Sequence, residues 1–385
     1  MLRIVVLCAS CLFISAHSFA IAQNAVVGRI QSFKQPFSIT NVEGKKIDPE
    51  LGYMITSGDQ FATGNGGWVK YELTNQGTFK LEQNSQLTIN EPIGVEEDLK
   101  RTDIQLVIGE LLSMLKKIRK GPFVLRTPSA VLGVRGTEFQ TIAAIDATSM
   151  FVVDDGNVEI EAEGQKVTVP KGKMTQVEFE ERPSSLQNAL PKSERNWGQW
   201  RKGQQTIFFN KLRLITDKIN AGFTRQLDGI KKFYDNLNRQ ATSIDEEIEK
   251  LKTYKEKDSS DDIARTVEKL AFKMQGIEKM VNAYRNRLNH VRVMRKLSLR
   301  MEDFFEANID KVAKTDLPDI QANFLEISKK RSRIVSLENR AIDLLKDTYS
   351  KMDEIRDDIK ALRDQKRKFK RKGFRAGNND EGGNP

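Results

Sequence analysis

Between Ile230 and Leu362, apolar residues recur in alternating steps of four and three, and this rhythm constrains the fold more than any other feature of the chain. Ile230, Tyr234, Leu237, Ala241, Ile244, Ile248 and Leu251 form one seam. Ile263, Val267, Leu270, Met274, Ile277, Val281, Tyr284, Leu288 and Val291 form a second, and Ala341, Leu345, Thr348, Met352, Ile355, Ile359 and Leu362 a third. Such spacing lines one stripe of an α-helix and buries it against another helix. The second seam slips near Met294 and Leu297, and apolar residues then continue through Met301, Phe304, Phe305, Ile309 and Val312. Asp258-Ser259-Ser260-Asp261-Asp262 and Thr315-Asp316-Leu317-Pro318 break the pattern and supply caps and stops. An all-α domain over 193–372 is expected, with three long helices at about 193–257, 261–314 and 319–372. At a rise of about 1.5 Å per residue each would run about 80 Å, and the short breaks favour antiparallel neighbours. The same seams also suit a homo-oligomer formed through the helices.

The front half reads differently. From Val26 to Ile89, short apolar alternations are broken by Gly, Pro and Asn, as in Trp68-Val69-Lys70-Tyr71-Glu72-Leu73. The rhythm returns at Phe151-Val152-Val153, Val158-Glu159-Ile160, Lys166-Val167-Thr168-Val169 and Thr175-Gln176-Val177. Residues 23–182 are therefore expected to form an all-β domain, a solenoid or roll or a sandwich of short strands. Leu106 to Lys120 is ambiguous, because Leu111, Leu112 and Leu115 also suit a short helical turn. Pro183-Ser184-Ser185 and Pro191-Lys192-Ser193 mark 183–192 as a linker.

Within this β region, Thr127-Pro128-Ser129-Ala130 leads to Val134-Arg135-Gly136-Thr137-Glu138-Phe139. Pro128 suits a strand start, Gly133 and Gly136 a tight reversal, and Phe139 a core anchor. Arg135 has the chemistry to clamp a carboxylate, but bonding to carbonyls of its own turn is the favoured reading. Asp59 reads as a turn-capping carboxylate. Taken with Gly58-Asp59, Thr63-Gly64, Ser85-Gln86-Leu87, Gly109-Glu110-Leu111, Val153 to Val158 around Gly156, and Pro170-Lys171-Gly172, the series resembles the FecR domain. The resemblance implies a structural signature of Thr127, Pro128, Ala130, Val134, Arg135, Gly136, Thr137 and Phe139. Regulatory members of that family place the domain outside the cytoplasmic membrane, behind an anti-sigma segment and one membrane span. They relay transporter occupancy to a sigma factor. Here a signal peptide and a helical region stand in the flanking positions instead.

The compartment is read from the first 22 residues. Arg3 precedes an apolar run from Ile4 to Ala16 and the small-residue site Ala20-Ile21-Ala22, the pattern of a cleaved secretory signal peptide. The run is shorter than the roughly 20 residues a membrane span needs, so an uncleaved anchor is the lesser reading. Cys8 and Cys11, the only cysteines, both lie in this segment. The expected mature chain, from Gln23, has neither a disulfide framework nor a thiol nucleophile. A periplasmic or extracytoplasmic location follows. Of the net charge of +10, the basic excess lies in 183–385, while 23–182 is mildly acidic.

Lys366, Arg367, Lys368, Lys370, Arg371, Lys372 and Arg375, interleaved with Phe369 and Phe374, form a basic run that reaches into a Gly/Asn-rich tail over 373–385 that reads as disordered. The run suits weak contact with an anionic membrane surface, or else a solvated helix end, and export argues against nucleic acid. His290 is the only histidine after the signal segment and reads as a solvated or edge-packed side chain rather than a base. No catalytic set, metal-ligand spacing or cofactor glycine pattern is present in the sequence. Catalytic, metal and cofactor sites are therefore all expected to be none. The reading is an exported, non-enzymatic FecR-domain protein acting as a binding or scaffold module with an envelope protein partner. The alternative is an envelope signalling component related to FecR-type regulators of transporter-linked sigma factors.

Overall fold

The computed structural model describes residues 26–89, 102–116, 123–134, 136–257 and 259–376, with side chains to 355 except at Thr102 and Ser260. Residues 22–348 form one compact unit, and 349 onward belongs to a second. Strands begin with β1 (Val26–Lys34), β2 (Phe37–Thr40), β3 (Lys46–Ile47) and β4 (Met54–Thr56). β5 (Gln60–Thr63), β6 (Trp68–Leu73), β7 (Gly77–Leu81), β8 (Gln86–Ile89) and the long β9 (Thr102–Leu115) follow. β10 (Phe123–Arg126), β11 (Val131–Val134), β12 (Glu138–Ala143) and β13 (Ser149–Asp155) lead to β14 (Asn157–Ala162), β15 (Gln165–Pro170), β16 (Lys173–Val177) and β17 (Gln187–Asn188).

These strands make two sheets facing each other. The first runs β4-β1-β6-β7-β9-β12-β13-β16-β17. The second runs β3-β2-β5-β8-β9-β10-β11-β14-β15, antiparallel except for β9 with β10. β9 belongs to both: its first half pairs with β8 and β10, its second with β7 and β12. Gly109 makes that transfer possible. Its φ is +112°, and a Cβ there would stand 2.0 Å from Ser85 Oγ, so only glycine fits. The stretch that reads as helix or strand is thus strand through Leu115, because Leu111 and Leu115 point into the core while neighbours hydrogen-bond on both sides.

Alternation decides what fills the sandwich. Val69, Tyr71 and Leu73 of β6 turn inward, as do Phe139 and Ala143 of β12 and Phe151 and Val153 of β13. Between the sheets Phe37, Phe61, Tyr71, Phe79 and Phe123 form a ladder of rings with successive centroids 5.3–5.5 Å apart. Each such edge or stacked pair adds about 0.5–1.5 kcal/mol to its area burial. Within the stretch that reads as a linker, Gln187 and Asn188 pair with β16 and extend the first sheet.

Four helices follow: α1 (Trp197–Asn210), α2 (Leu212–Glu256), α3 (Ser260–Glu306) and α4 (Leu317–Ala376). The seam residues Ile230, Leu237, Ile244, Ile248 and Leu251 are buried, as are Leu270, Ile277, Val281, Leu288 and Val291. α2 and α3 are antiparallel, with the Phe233 and Tyr284 rings stacked 4.2 Å apart. Lys273 reaches back to Ser243 at 2.6 Å, farther along the same pair. α4 runs against α3 and along α2 in the same direction, since Arg213 meets Asp319 while Arg340 lies over the Tyr234 ring. Two breaks differ from the sequence reading. Lys211 leaves the helical conformation between α1 and α2, and α3 ends at Glu306, where Asn308 Nδ2 donates to the Phe304 carbonyl at 2.8 Å.

Candidate functional site

The signature residues build a corner of the sandwich. Thr127 and Ala130 close the turn between β10 and β11: Thr127 N donates to Ala130 O at 2.9 Å, and Ala130 N donates to Thr127 Oγ1 at 3.1 Å. Pro128 is buried in that turn. Val134 ends β11 in the second sheet, and the chain then crosses to β12 in the first. Gly136 makes the crossing at φ +60°. Thr137 Oγ1 donates to Asn157 O at 3.0 Å, the Thr137 carbonyl accepts from Leu115 N at 3.0 Å, and Phe139 is buried in the core. Arg135 lies outside the described residues. Asp59, itself buried, accepts from Thr56 N at 2.8 Å and Thr56 Oγ1 at 3.0 Å, so it caps the β4–β5 turn. Burial raises its pKa, and together with Asp59 pushes the Tyr53 phenol up to about 12.

The outer face of the second sheet is more unusual. Its outward positions on β8, β9 and β10 include Gln86, Thr88, Asp103, Gln105, Val124 and Arg126. A solvent-facing sheet would leave them wet, yet Gln105 is fully buried and Arg126 is 1% exposed, the largest fully buried side chain described. Helix α3 covers them. Arg126 Nε donates to Asp103 Oδ2 at 2.8 Å and its Nη2 to Asn286 Oδ1 at 2.9 Å. Asn289 Nδ2 donates to Asp103 Oδ2 at 3.3 Å. Farther along α3, Lys296 Nζ donates to Thr88 Oγ1 at 2.9 Å and Arg300 Nε to Gln86 Oε1 at 2.7 Å. Both amide atoms of Gln105 and Arg126 Nη1 are buried without a hydrogen-bond partner.

Part of the outer face of the first sheet, on β12 and β13, is covered too. Ile142, Met150 and Val152 pack with Trp197 at the start of α1. Arg195 holds Asp154 with two bonds, at 2.6 and 3.1 Å, and both Arg195 and Trp197 Nε1 donate to Gln140 Oε1. Arg201 donates to the carbonyls of Asn84 and Gln83 at 3.0 and 3.2 Å. At the end of the sandwich Lys218 and Arg225 of α2 pair with Glu181 and Glu180.

Perturbed groups sit at these junctions. Burial, together with the Glu82 carboxylate, pushes Glu110 up to about 7. Burial, with the Arg126 charge beside it, pulls half-buried His290 down to about 4. Asp146 is raised by burial although it accepts from Thr148 N and Oγ1 at 3.1 and 2.8 Å. Each is engaged in a turn or a junction. Among the described residues, no three or more His, Cys, Asp or Glu side chains converge as metal ligands, and no helix is long and apolar enough to cross a membrane. The backbone of Lys366, Arg367, Lys368, Lys370, Arg371, Lys372 and Arg375 continues α4 to Ala376, but their side chains and residues 377–385 lie outside the described residues, as do residues 1–25.

Asp103, Arg126, Asn286 and Asn289 escape sequence reading because their meeting joins positions as far as 186 residues apart. One signal was present: the slip of the second seam near Met294. Val291, Arg292, Val293 and Met294 are buried in succession, because α3 is covered on more than one side there.

Comparison with known proteins places the signature. Residues 59–159 match the family described as FecR protein. Two crystal structures of a proposed anti-sigma factor from Parabacteroides distasonis, at 1.65 and 2.50 Å resolution, are similar over 34% of this chain and 59% of theirs. Identity is 16% and the TM-score 0.29 in both cases. The matched part thus spans less than two thirds of those chains. No curated protein matches.

Proposed function

Because residues 59–159 of this chain are a FecR domain, we propose that the protein is an exported, non-enzymatic binding scaffold of the cell envelope. One observation carries the reading: the chain's own helical part packs against both outer faces of the β sandwich, through Trp197 and Arg195 over β12 and β13 on one and through Asn286 and Asn289 on the other. A β module gripped in this way has a fixed presentation. Its remaining exposed surface and the bundle then offer two separate contact regions to an envelope protein partner. The basic run Lys366–Arg375 adds weak, reversible attraction to anionic headgroups, on the order of 1 kcal/mol per residue near the surface before screening. Cleavage after Ala22 would deliver the mature chain outside the cytoplasm.

The test is fractionation with N-terminal sequencing. A chain beginning at Gln23 in the extracytoplasmic soluble fraction supports export, and retention of Met1 in the cytoplasm overturns it. The second reading, a signalling component that relays partner occupancy, is favoured by the FecR match itself. Transcript profiling of a deletion strain separates the two, because a relay changes a defined regulon and a scaffold does not.

A further inference from the structure

The cover over the second sheet is built from groups that resist burial. Removing an ion pair from water carries a desolvation cost that the pair and its hydrogen bonds must offset. Each buried polar group left without a partner adds the cost of its own desolvation. Both costs meet on this surface: the Asp103–Arg126 pair, the Gln105 amide and Arg126 Nη1 all lie on the outward side of β9 and β10. The inward side of the same strands is apolar, with Ile104, Leu106, Phe123 and Leu125 in the core. Within the bundle, α3 holds α2 and α4 through ring contacts, such as Phe233 on Tyr284 and Phe305 on Phe324, together with the buried Arg292–Glu338 pair between α3 and α4.

We propose that the contact between α3 and the outer face of β8–β9–β10 is a latch, which opens by withdrawal of the helices from that face while the sandwich and the bundle each stay folded. Opening returns the Gln105 amide, the free guanidinium nitrogen of Arg126 and the ion pair to water, so it recovers solvation that the closed state gives up. The core aromatic ladder and the α2–α3 seam remain buried in both states. Sub-global openings of this kind have free energies below that of global unfolding. The ion pair, satisfied from α3 by two amides, gives the closed state its register.

Opening is read by thiol labelling under native conditions. In a chain lacking Cys8 and Cys11, Val124→Cys and Gln105→Cys report on the covered face, and Val158→Cys, in the core between the sheets, reports on global unfolding. Val124→Cys leaves the polar set intact. The latch predicts that both face positions label at least about tenfold faster than Val158→Cys. Their urea dependence should also be shallower, because less surface is exposed. If Val124→Cys labels at the rate and with the urea slope of Val158→Cys, the cover opens only when the whole unit unfolds and the latch is refuted. Fast labelling at Gln105→Cys alone refutes it as well, since the substitution itself would then have loosened the face.

Discussion

Arg126 Nε lies 2.8 Å from Asp103 Oδ2 on the outer face of a β sandwich, and the amides of Asn286 and Asn289, on a helix more than 150 residues later in the chain, complete the pair. The relationship ties the FecR domain to the helical half of the chain. It also sets what removal of either charge should do.

Arg126→Ala leaves Asp103 buried without its guanidinium, and such a loss costs about 3–5 kcal/mol. Replacing both members with apolar residues, Arg126→Met with Asp103→Leu, should recover most of that loss. Urea unfolding of the single and double variants checks the order. A single variant as stable as the double would show that the pair does not hold the junction.

Gly109→Ala should destabilise by at least about 1–3 kcal/mol from backbone strain alone, because φ is +112° there. The clash with Ser85 adds to it, and Ser85→Gly in the same chain should relieve part of the loss. Thermal unfolding of the single and paired variants measures the difference.

The two junction groups give opposite pH dependences. His290 titrates near 4 in the folded chain, below its ordinary 6.5, so the fold favours the neutral ring. Its contribution is present above pH 6.5 and is lost as pH falls toward 4, by at most about 3 kcal/mol. Glu110 titrates near 7, above its ordinary 4.5, so the fold favours the protonated carboxyl. Its contribution is present below pH 4.5 and is lost as pH rises through 7, again by at most about 3 kcal/mol. Glu110→Gln should therefore stabilise the protein at pH 8 and change little at pH 4, and His290→Gln should do the reverse. Denaturant midpoints at the two pH values read both signs.

Much of the architecture is legible in the sequence, and the reasons are local. Val69, Tyr71 and Leu73 announce a half-buried strand, and the 4-3 seam from Ile230 to Leu251 announces a packed helix, because both periods are read over a few residues. The corner at Gly136 is legible for the same reason. The cover on the second sheet is not. Asp103, Gln105 and Arg126 occupy outward positions, where polar side chains ordinarily mean solvent, and nothing near them in sequence tells of a helix that arrives far later. The ambiguity over Leu111, Leu112 and Leu115 has a similar source: β9 serves two sheets, so its pattern changes at Gly109.

Trp197→Ala should remove the anchor that α1 sets on Ile142, Met150 and Val152, at a cost of about 3–5 kcal/mol if the site does not collapse. Ile207→Ala, at a more exposed position of the same helix, should cost far less. Equal losses in urea unfolding would mean that the first sheet's outer face does not hold the helix.

The most direct test of a helical bundle gripping the FecR domain is a short-range crosslink between Gln86→Cys and Arg300→Cys in a chain without Cys8 and Cys11. Arg300 Nε and Gln86 Oε1 are 2.7 Å apart at the accessible edge of the junction. A short bismaleimide should therefore join the two thiols within one chain in near-quantitative yield, and should fail with Gln86→Cys and Phe272→Cys. Absence of the first crosslink in the folded protein, or equal yield from the control pair, would contradict the grip of the helices on the sheet.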